Sequence, residues 1–342
     1  MCTGLCTETT YTQAICMMNR YIDRRTLLTG AAATAAAMAA PLILEGKPAL
    51  RVNRSRISAI SDEIAMSPEE AVAFAQHFGL QWLELRQTPA LPRQGKPYFF
   101  LEDDELKKEA KRFRDGGIKI SFINTNLCKN SLPGANAASW SKHDAQWIAD
   151  REAAAKKEYD ERFERLRKCI RSAHAFDCPY VRIFAFLRVQ DAPSVYDRVA
   201  NIIGEMAQTA KKEGILLLIE NEPSCNVGNS AELATFLKLV PESLLGFNWD
   251  ARNAASTNET PFPDGYALLP KHRMKNAQIK GHDILDPDKP IDWAPIFAAM
   301  DADGFEGRIG LETHYFDGTR LERSHLAMDK IVALADANST RS

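Results

Sequence analysis

From Ser55 onward, the chain alternates short apolar runs with longer segments in which apolar residues recur at helical spacing. Such alternation is typical of repeated strand and helix units that build a parallel sheet. The runs that have the length and composition of buried strands span residues 57–60, 82–85, 118–123, 180–184, 215–219, 245–249, 277–280 and 309–311. Eight units in this order predict an α/β fold that closes into a (β/α)8 barrel, an architecture of roughly 250 residues.

Helix boundaries are marked between the predicted strands. Clear helical periodicity covers residues 68–78, 196–212 and 231–240. A serine suited to cap a helix N-terminus stands at each start, at Ser67, Ser194 and Ser230. A glycine suited to a left-handed C-cap precedes three of the strands, at Gly79, Gly117 and Gly214. An open, doubly wound sheet is the competing architecture, but no G-x-G-x-x-G follows an early strand, so the barrel is favoured.

Residues 1–40 differ in composition from the rest, and we interpret them as an export signal. Arg24 and Arg25 precede an alanine-rich, uncharged run, and Ala37-Met38-Ala39 offers small residues for cleavage. The pattern resembles a twin-arginine (Tat) signal, and it lacks the ~20 strongly apolar residues of a spanning helix. The sequence predicts a periplasmic or exported protein without membrane insertion after cleavage, or a cytoplasmic one if the segment is an ordinary helix. Residues 41–342 are then one barrel domain.

Composition argues against a nucleic-acid partner and against a disulfide framework. The 43 basic and 45 acidic residues give a formal net charge of −2 and are mixed along the chain, so nucleic acid is not an expected partner. The cysteines of the barrel region have no C-x-x-C spacing and are too few for a disulfide framework, so we expect core or loop thiols at Cys128, Cys169, Cys178 and Cys225.

Two insertions, near residues 124–158 and 254–272, interrupt the strand and helix rhythm. Each follows the carboxyl end of a predicted strand, which in a barrel faces the active site. We expect them to shape or cover a substrate pocket, and Trp140 and Trp147 in the first insertion favour this over plain surface loops.

Each of the last four predicted strands ends near a residue able to bind a metal. These residues are Glu220, Asp250, Gln278 and Glu312. Their separations of about 30 residues approximate one strand and helix unit each, so the four side chains are expected to converge on one rim. An oxygen-rich ligand set suits Mg²⁺ or Mn²⁺ better than a structural zinc ion.

The motifs around these residues resemble those of the sugar phosphate isomerase/epimerase family, the xylose isomerase-like TIM barrels. The run 218–223 (LIENEP) is similar to their fifth-strand motif, and 250–253 (DARN) to their sixth-strand D-x-x-N/H. Residues 278–280 (QIK) stand where the family has H-x-K, and 310–312 (GLE) match its eighth-strand glutamate. The resemblance covers roughly residues 55–335.

The resemblance implies a role for each of these positions. Glu220, Asp250, residue 278 and Glu312 would bind the metal, Glu220 and Glu312 would act as the acid and base, and Lys280 would stabilise an oxyanion or form a salt bridge with Asp250 or Glu312. Substrate contacts are expected at Asn253, Glu222, Arg252 and His314.

Gln278 departs from the family pattern, because the family usually has histidine there. An amide oxygen binds hard cations, so the expectation shifts to Mn²⁺ or Mg²⁺, with Zn²⁺ still possible. A strand that continued past Glu312 would place His314 on the same face, and either His282 or His314 could then supply the missing nitrogen.

The chemistry implied is metal-assisted proton transfer beside a carbonyl, through an enediolate, on a ketose or cyclitol. An inosose-type dehydratase begins with the same proton abstraction and stays open. A non-catalytic exported barrel that binds carbohydrate also stays open. A phosphodiesterase resembling endonuclease IV is disfavoured, because three zinc ions need many histidines and the chain has 7. Pairing of barrels into a homo-oligomer is possible, and the expected partner is a small sugar or cyclitol.

Overall fold

The computed structural model describes residues 51–90, 94–288 and 290–341. The predicted export signal at residues 1–40 lies outside these ranges. The eight strands are β1 Ile57–Ala59, β2 Trp82–Leu85, β3 Lys119–Ile123, β4 Tyr180–Ile183, β5 Leu216–Glu220, β6 Leu245–Asp250, β7 Met274–Lys280 and β8 Arg308–Glu312. All pairs are parallel, in the order β1-β8-β7-β6-β5-β4-β3-β2. A single parallel bridge between Ile60 and Glu84 links β1 to β2. The nearly closed barrel that the sequence predicts is therefore confirmed.

Helices follow the strands along the described chain. They are α1 Ser61–Ile64, α2 Pro68–His77, α3 Asp103–Asp115, α4 Ala145–Asp160, α5 Arg162–Ala175, α6 Tyr196–Lys212, α7 Ser230–Phe236, α8 Ala251–Ala255, α9 Tyr266–Leu268, α10 Gly281–Leu285, α11 Trp293–Ala302 and α12 Arg320–Ser339. Within the described ranges, no helix combines the length and apolar composition needed to cross a membrane.

The predicted helix caps are only partly confirmed. Ser67 accepts a hydrogen bond from the Glu70 amide and caps α2. Ser194 and Ser230 are not caps, because α6 begins after a 3-10 turn and Asn229 caps α7. The three predicted C-cap glycines all have positive φ, at Gly79, Gly117 and Gly214.

The barrel interior is polar, whereas its outer face is apolar. Along β7, Asn276, Gln278 and Lys280 form one alternating set, and Ala277 and Ile279 form the other, which belongs to the hydrophobic core. Parallel strands buried on both faces usually read as continuous apolar runs. Here β7 begins three residues earlier than the apolar pattern indicates, because Lys275 and Asn276 interrupt that pattern, and Asn276 donates hydrogen bonds to Glu84 and Asn248 in the interior.

Residues 124–158 directly follow β3, whereas residues 254–272 begin within α8, which follows β6. The first, after β3, contains the 3-10 turn Ala138–Lys142 and most of α4. The second, after β6, contains the turn Pro261–Gly265 and α9. The four cysteines of the described chain are buried free thiols, which confirms the expectation for them.

Candidate active site

Three buried carboxylates meet at the carboxyl ends of the strands. Glu220 ends β5, Asp250 ends β6 and Glu312 ends β8. One oxygen from each lies within 4.8 Å of the others. The three residues lie far apart in the chain, so only the barrel brings them together.

The strand register places Gln278 and Lys280 at the same rim. Both residues are on β7. Gln278 pairs with Asp250 of β6, and Lys280 pairs with Glu312 of β8. Residues two apart on one strand point to the same face, so Gln278 and Lys280 both project with the carboxylates.

Lys280 is the central cation of the cluster. Its Nζ lies 2.9 Å from Asp250 Oδ2 and 2.9 Å from Glu312 Oε2. Burial alone would lower the pKa of Lys280, but Asp250, Glu312 and Glu220 raise that pKa well above its ordinary value. Lys280 is therefore an ammonium group that can donate hydrogen bonds but cannot act as a general base.

Two arginines support the outer carboxylates. Arg182 on β4 donates to Glu220 Oε2 at 3.0 Å. Arg86, just after β2, donates to Glu312 Oε1 at 3.3 Å and also contacts Asp62 and Glu63. Both arginines hold carboxylates in fixed positions at the barrel mouth.

The carboxylates respond differently to this environment. Burial raises the pKa of Asp250 to about 7, with Glu220 and Glu312 adding to the shift and Lys280 opposing it. Burial would also raise the pKa of Glu312, but Lys280, His314 and Arg86 lower it well below its usual range. Lys280 and Arg86 therefore favour the ionised form of Glu312.

Gln278 projects into the interior with one half of its amide engaged. Its Nε2 donates to Glu84 Oε2 at 2.7 Å, and its Oε1 is buried without a hydrogen-bond partner in the described chain. Buried polar atoms in folded proteins nearly always have a partner. An oxygen without one, on the residue that pairs with Asp250 in the sheet, therefore fits a bound cation.

The local charge balance also fits a divalent cation. The mouth of the barrel gathers six buried carboxylates, at Asp62, Glu63, Glu84, Glu220, Asp250 and Glu312. Among the described residues, the lysine and arginine side chains that pair with them are Arg86, Arg182 and Lys280. The carboxyl side chains therefore outnumber the three cationic ones, and oxygen donors of this kind suit Mn²⁺ or Mg²⁺.

The four predicted substrate contacts lie around this cluster in different states. The Asn253 amide donates to the Asn221 carbonyl oxygen at 2.9 Å, and Arg252 Nε donates to Asp283 at 2.7 Å. Glu222 is partly exposed and pairs with Lys129 at 2.7 Å. Burial would raise the pKa of Glu222, but Lys129 and Ser224 bring it below its ordinary value.

His314 lies beside the cluster for a different reason from the predicted one. The strand ends at Glu312, and His314 follows with a φ of 55°, which turns the chain. Its Nδ1 lies 3.5 Å from Glu312 Oε1, and its backbone amide donates to Glu63. His282 instead packs against the Tyr315 ring.

Sequence reasoning missed four residues that support the cluster. These are Glu84, Arg86, Arg182 and Asn248. A signal existed, because each is a polar residue in or next to a short apolar run, at the alternate positions that face a barrel interior. Only the strand pairing shows which face of each strand turns toward the barrel interior.

Comparisons with known proteins agree with this architecture. The model of the xylose isomerase-like TIM barrel family matches residues 72–333. A sugar phosphate isomerase/epimerase from Parabacteroides distasonis is similar at a TM-score of 0.59 and 16% identity, over 82% of this chain and 94% of that one. The 3-keto-D-glucoside 4-epimerase YcjR from E. coli is similar at 0.57 and 10% identity, over 82% and 98%. The IOLI protein with a bound zinc atom is similar at 0.58 and 13% identity, over 84% and 100%. A comparison with curated proteins returns no match.

Proposed function

The chain belongs to the xylose isomerase-like TIM barrel family, and on that premise we propose that it is a divalent-metal-dependent sugar isomerase or epimerase. The proposed reaction moves a proton at a carbon beside a carbonyl, through an enediolate, on a ketose or cyclitol. The observation that carries the proposal is the convergence of Glu220, Asp250 and Glu312 around one point, next to the unpartnered oxygen of Gln278. Among the similar structures, one is an epimerase and another contains a bound zinc atom, and both support the proposal.

Glu220, Asp250, Gln278 and Glu312 are the residues that would hold the cation. Four oxygen donors favour Mn²⁺ or Mg²⁺ over Zn²⁺, which prefers nitrogen and sulfur. When bound, such a cation polarises a carbonyl and stabilises negative charge on an adjacent oxygen.

The protein's own groups divide the proton transfer between them. In this proposal Glu312, whose ionised form Lys280 and Arg86 favour, accepts the proton, and Glu220 is the second acid–base group of the cluster. Glu220 is oriented by Arg182 and by the Asn248 amide, which donates at 2.7 Å. The Lys280 ammonium would donate a hydrogen bond to the developing oxyanion.

We assign the substrate hydroxyls to the rim. Glu222 and His314 are partly exposed there, so they can exchange their present contacts for substrate. Arg252 and Asn253 already hydrogen-bond to protein groups, and in this proposal they form part of the wall of the substrate pocket. Export by the Tat-like segment would bring the enzyme to free sugars, keto-sugars or cyclitols and not to phosphorylated ones.

Isotope exchange tests the reaction without knowledge of the natural product. The protein is stripped with EDTA, reloaded with Mn²⁺, and incubated in D₂O with a panel of ketoses and inososes while mass spectrometry follows deuterium at carbon. We expect incorporation by the loaded protein. Glu312→Gln should reduce its rate by about 10²- to 10⁴-fold, the usual contribution of a general base.

Glu306→Gln is the matched control, since Glu306 is an exposed glutamate six residues earlier and should exchange at the wild-type rate. Activity of Glu312→Gln equal to that of Glu306→Gln would remove the proposed acid–base pair. Deuterium uptake accompanied by loss of water from the substrate would assign the same site to a dehydratase. A folded protein that takes up no divalent cation would favour a carbohydrate-binding barrel.

A further inference from the structure

Glu84 occupies the centre of the barrel and accepts hydrogen bonds from three sides. Its side chain comes from β2 and is completely buried. Ser58 on β1 and Asn276 on β7 donate to Oε1 at 2.9 and 3.1 Å. Asn124 after β3 and Gln278 on β7 donate to Oε2 at 2.7 and 2.7 Å.

We propose that Glu84 is a positioning residue that orients the Gln278 amide, so that its carbonyl oxygen and not its NH₂ group is presented to the divalent cation. This inference rests on the proposed function, because it assumes a cation at the three carboxylates. It adds a residue on β2, a strand that carries none of the four ligands, and this residue determines whether Gln278 can bind the cation through its oxygen.

An amide ligand needs such orientation because its two ends are alike in shape and opposite in polarity. One end is an acceptor that can bind a cation, and the other carries two hydrogens that a cation repels. Both Glu84 oxygens act as acceptors here, each for two donors, so the NH₂ end of Gln278 turns toward Glu84. The oxygen of Gln278 is then left without a protein partner, as observed.

The same carboxylate also sets the direction of a second amide chain. Asn276 Nδ2 donates both to Glu84 and to Asn248 Oδ1, the latter at 3.0 Å. Asn248 therefore points its NH₂ group at Glu220 Oε2, 2.7 Å away. With a carboxylate at each end, neither amide can reverse without turning its carbonyl oxygen toward a carboxylate oxygen.

The opposite wall leaves space for this carboxylate. Gly310 on β8 is the register partner of Gln278, and a Cβ built at Gly310 would lie 1.9 Å from Glu84 Oε1. The barrel thus lacks a side chain where the Glu84 carboxylate lies, which indicates a fixed position for Glu84 within the interior.

The test compares the effect of Glu84→Gln in two backgrounds, with Mn²⁺ affinity measured by calorimetry and by electron paramagnetic resonance of free Mn²⁺. In the natural background, the Glu84→Gln amide can turn either end toward Gln278, so Gln278 can reverse. Mn²⁺ affinity should then fall by about 10- to 100-fold, as is usual for residues that orient ligands. In a Gln278→Ala background, the amide is absent and no orientation has to be fixed. There Glu84→Gln should change affinity by less than about threefold.

Glu109→Gln is the matched control, because it replaces another buried glutamate, on α3, away from the site. It should leave Mn²⁺ affinity unchanged, and thermal unfolding of every variant checks that it is folded. Equal losses from Glu84→Gln in both backgrounds would indicate a purely structural role and overturn the proposal, as would no loss in either.

These results leave the proposed function standing if the wild-type protein binds Mn²⁺. A folded wild-type protein that binds none of Mn²⁺, Mg²⁺, Zn²⁺ or Co²⁺ would instead overturn both the positioning role and the metal-dependent function.

Discussion

At the scale of single residues, Gly310 shows how a missing side chain serves the site. Glycine in a strand normally weakens it, because the backbone loses more entropy on folding and no side chain packs. At this position any Cβ would collide with the Glu84 carboxylate. The glycine therefore permits a buried polar cluster that a larger residue would displace.

We predict that Gly310→Ala lowers the free energy of unfolding by about 1–3 kcal/mol, the usual cost of overpacking. It should also weaken Mn²⁺ binding, since Glu84 must move. Gly204→Ala on α6 is the control. A Cβ at this position meets no atom within 4 Å, and alanine favours a helix more than glycine does. That change should raise stability by about 0.5–1 kcal/mol. Urea unfolding measures both, and equal midpoints for the two variants would contradict the prediction.

At the scale of secondary-structure elements, the three serines near helix starts have different roles: one caps its helix and the other two do not. Ser67 caps α2 through the Glu70 amide, at 3.1 Å. Ser194 lies in a 3-10 turn and donates to the Asp191 carbonyl, and Ser230 accepts from the buried Trp249 indole at 3.0 Å. Three serines in similar sequence contexts thus do three different things.

The caps give a prediction of relative stability. Ser67→Ala should lower the free energy of unfolding by about 1 kcal/mol, because an amide of the first helical turn loses its acceptor. Ser194→Ala should change it by less than about 0.5 kcal/mol, since the position is exposed and caps no helix. Chemical denaturation of the two variants in parallel decides the matter. A larger loss at Ser194 than at Ser67 would contradict the assignment.

At the scale of the whole molecule, the parallel barrel concentrates charge at one face. All eight strands run in the same direction, so their carboxyl ends share one rim. Carboxylates outnumber the cations that pair with them there, and they repel one another in the absence of further positive charge. In the proposed function, a bound cation would relieve this repulsion.

We predict that Mn²⁺ raises the melting temperature of EDTA-treated protein. A ligand at 100 times its Kd that binds only the folded state adds about 2.7 kcal/mol, which corresponds to a shift of several degrees for a chain of this size. Differential scanning calorimetry with and without Mn²⁺ measures the shift. Asp250→Asn should abolish most of it, whereas Glu306→Gln should retain it. Identical melting curves for wild-type protein with and without Mn²⁺ would contradict a cation site at this rim.

The sequence by itself determined the architecture and the identity of the central residues. Local periodicity and glycine punctuation located all eight strands to within three residues at each end. Glu220, Asp250 and Glu312 were singled out because each ends a strand and Gln278 because it lies near the end of one, and strand ends in a parallel barrel must share one rim.

Only the tertiary structure determined what holds those residues in place. Glu84, Arg182 and Asn248 lie on other strands from Gln278 and Glu220, the side chains they contact, and these contacts depend on strand register and on which face turns inward. Those quantities are set by closure of the whole sheet, because a side chain's burial and electrostatic environment arise from neighbours distant in the chain. The ionisation of Glu312 and the orientation of Gln278 follow from such neighbours, so no local pattern could have predicted them.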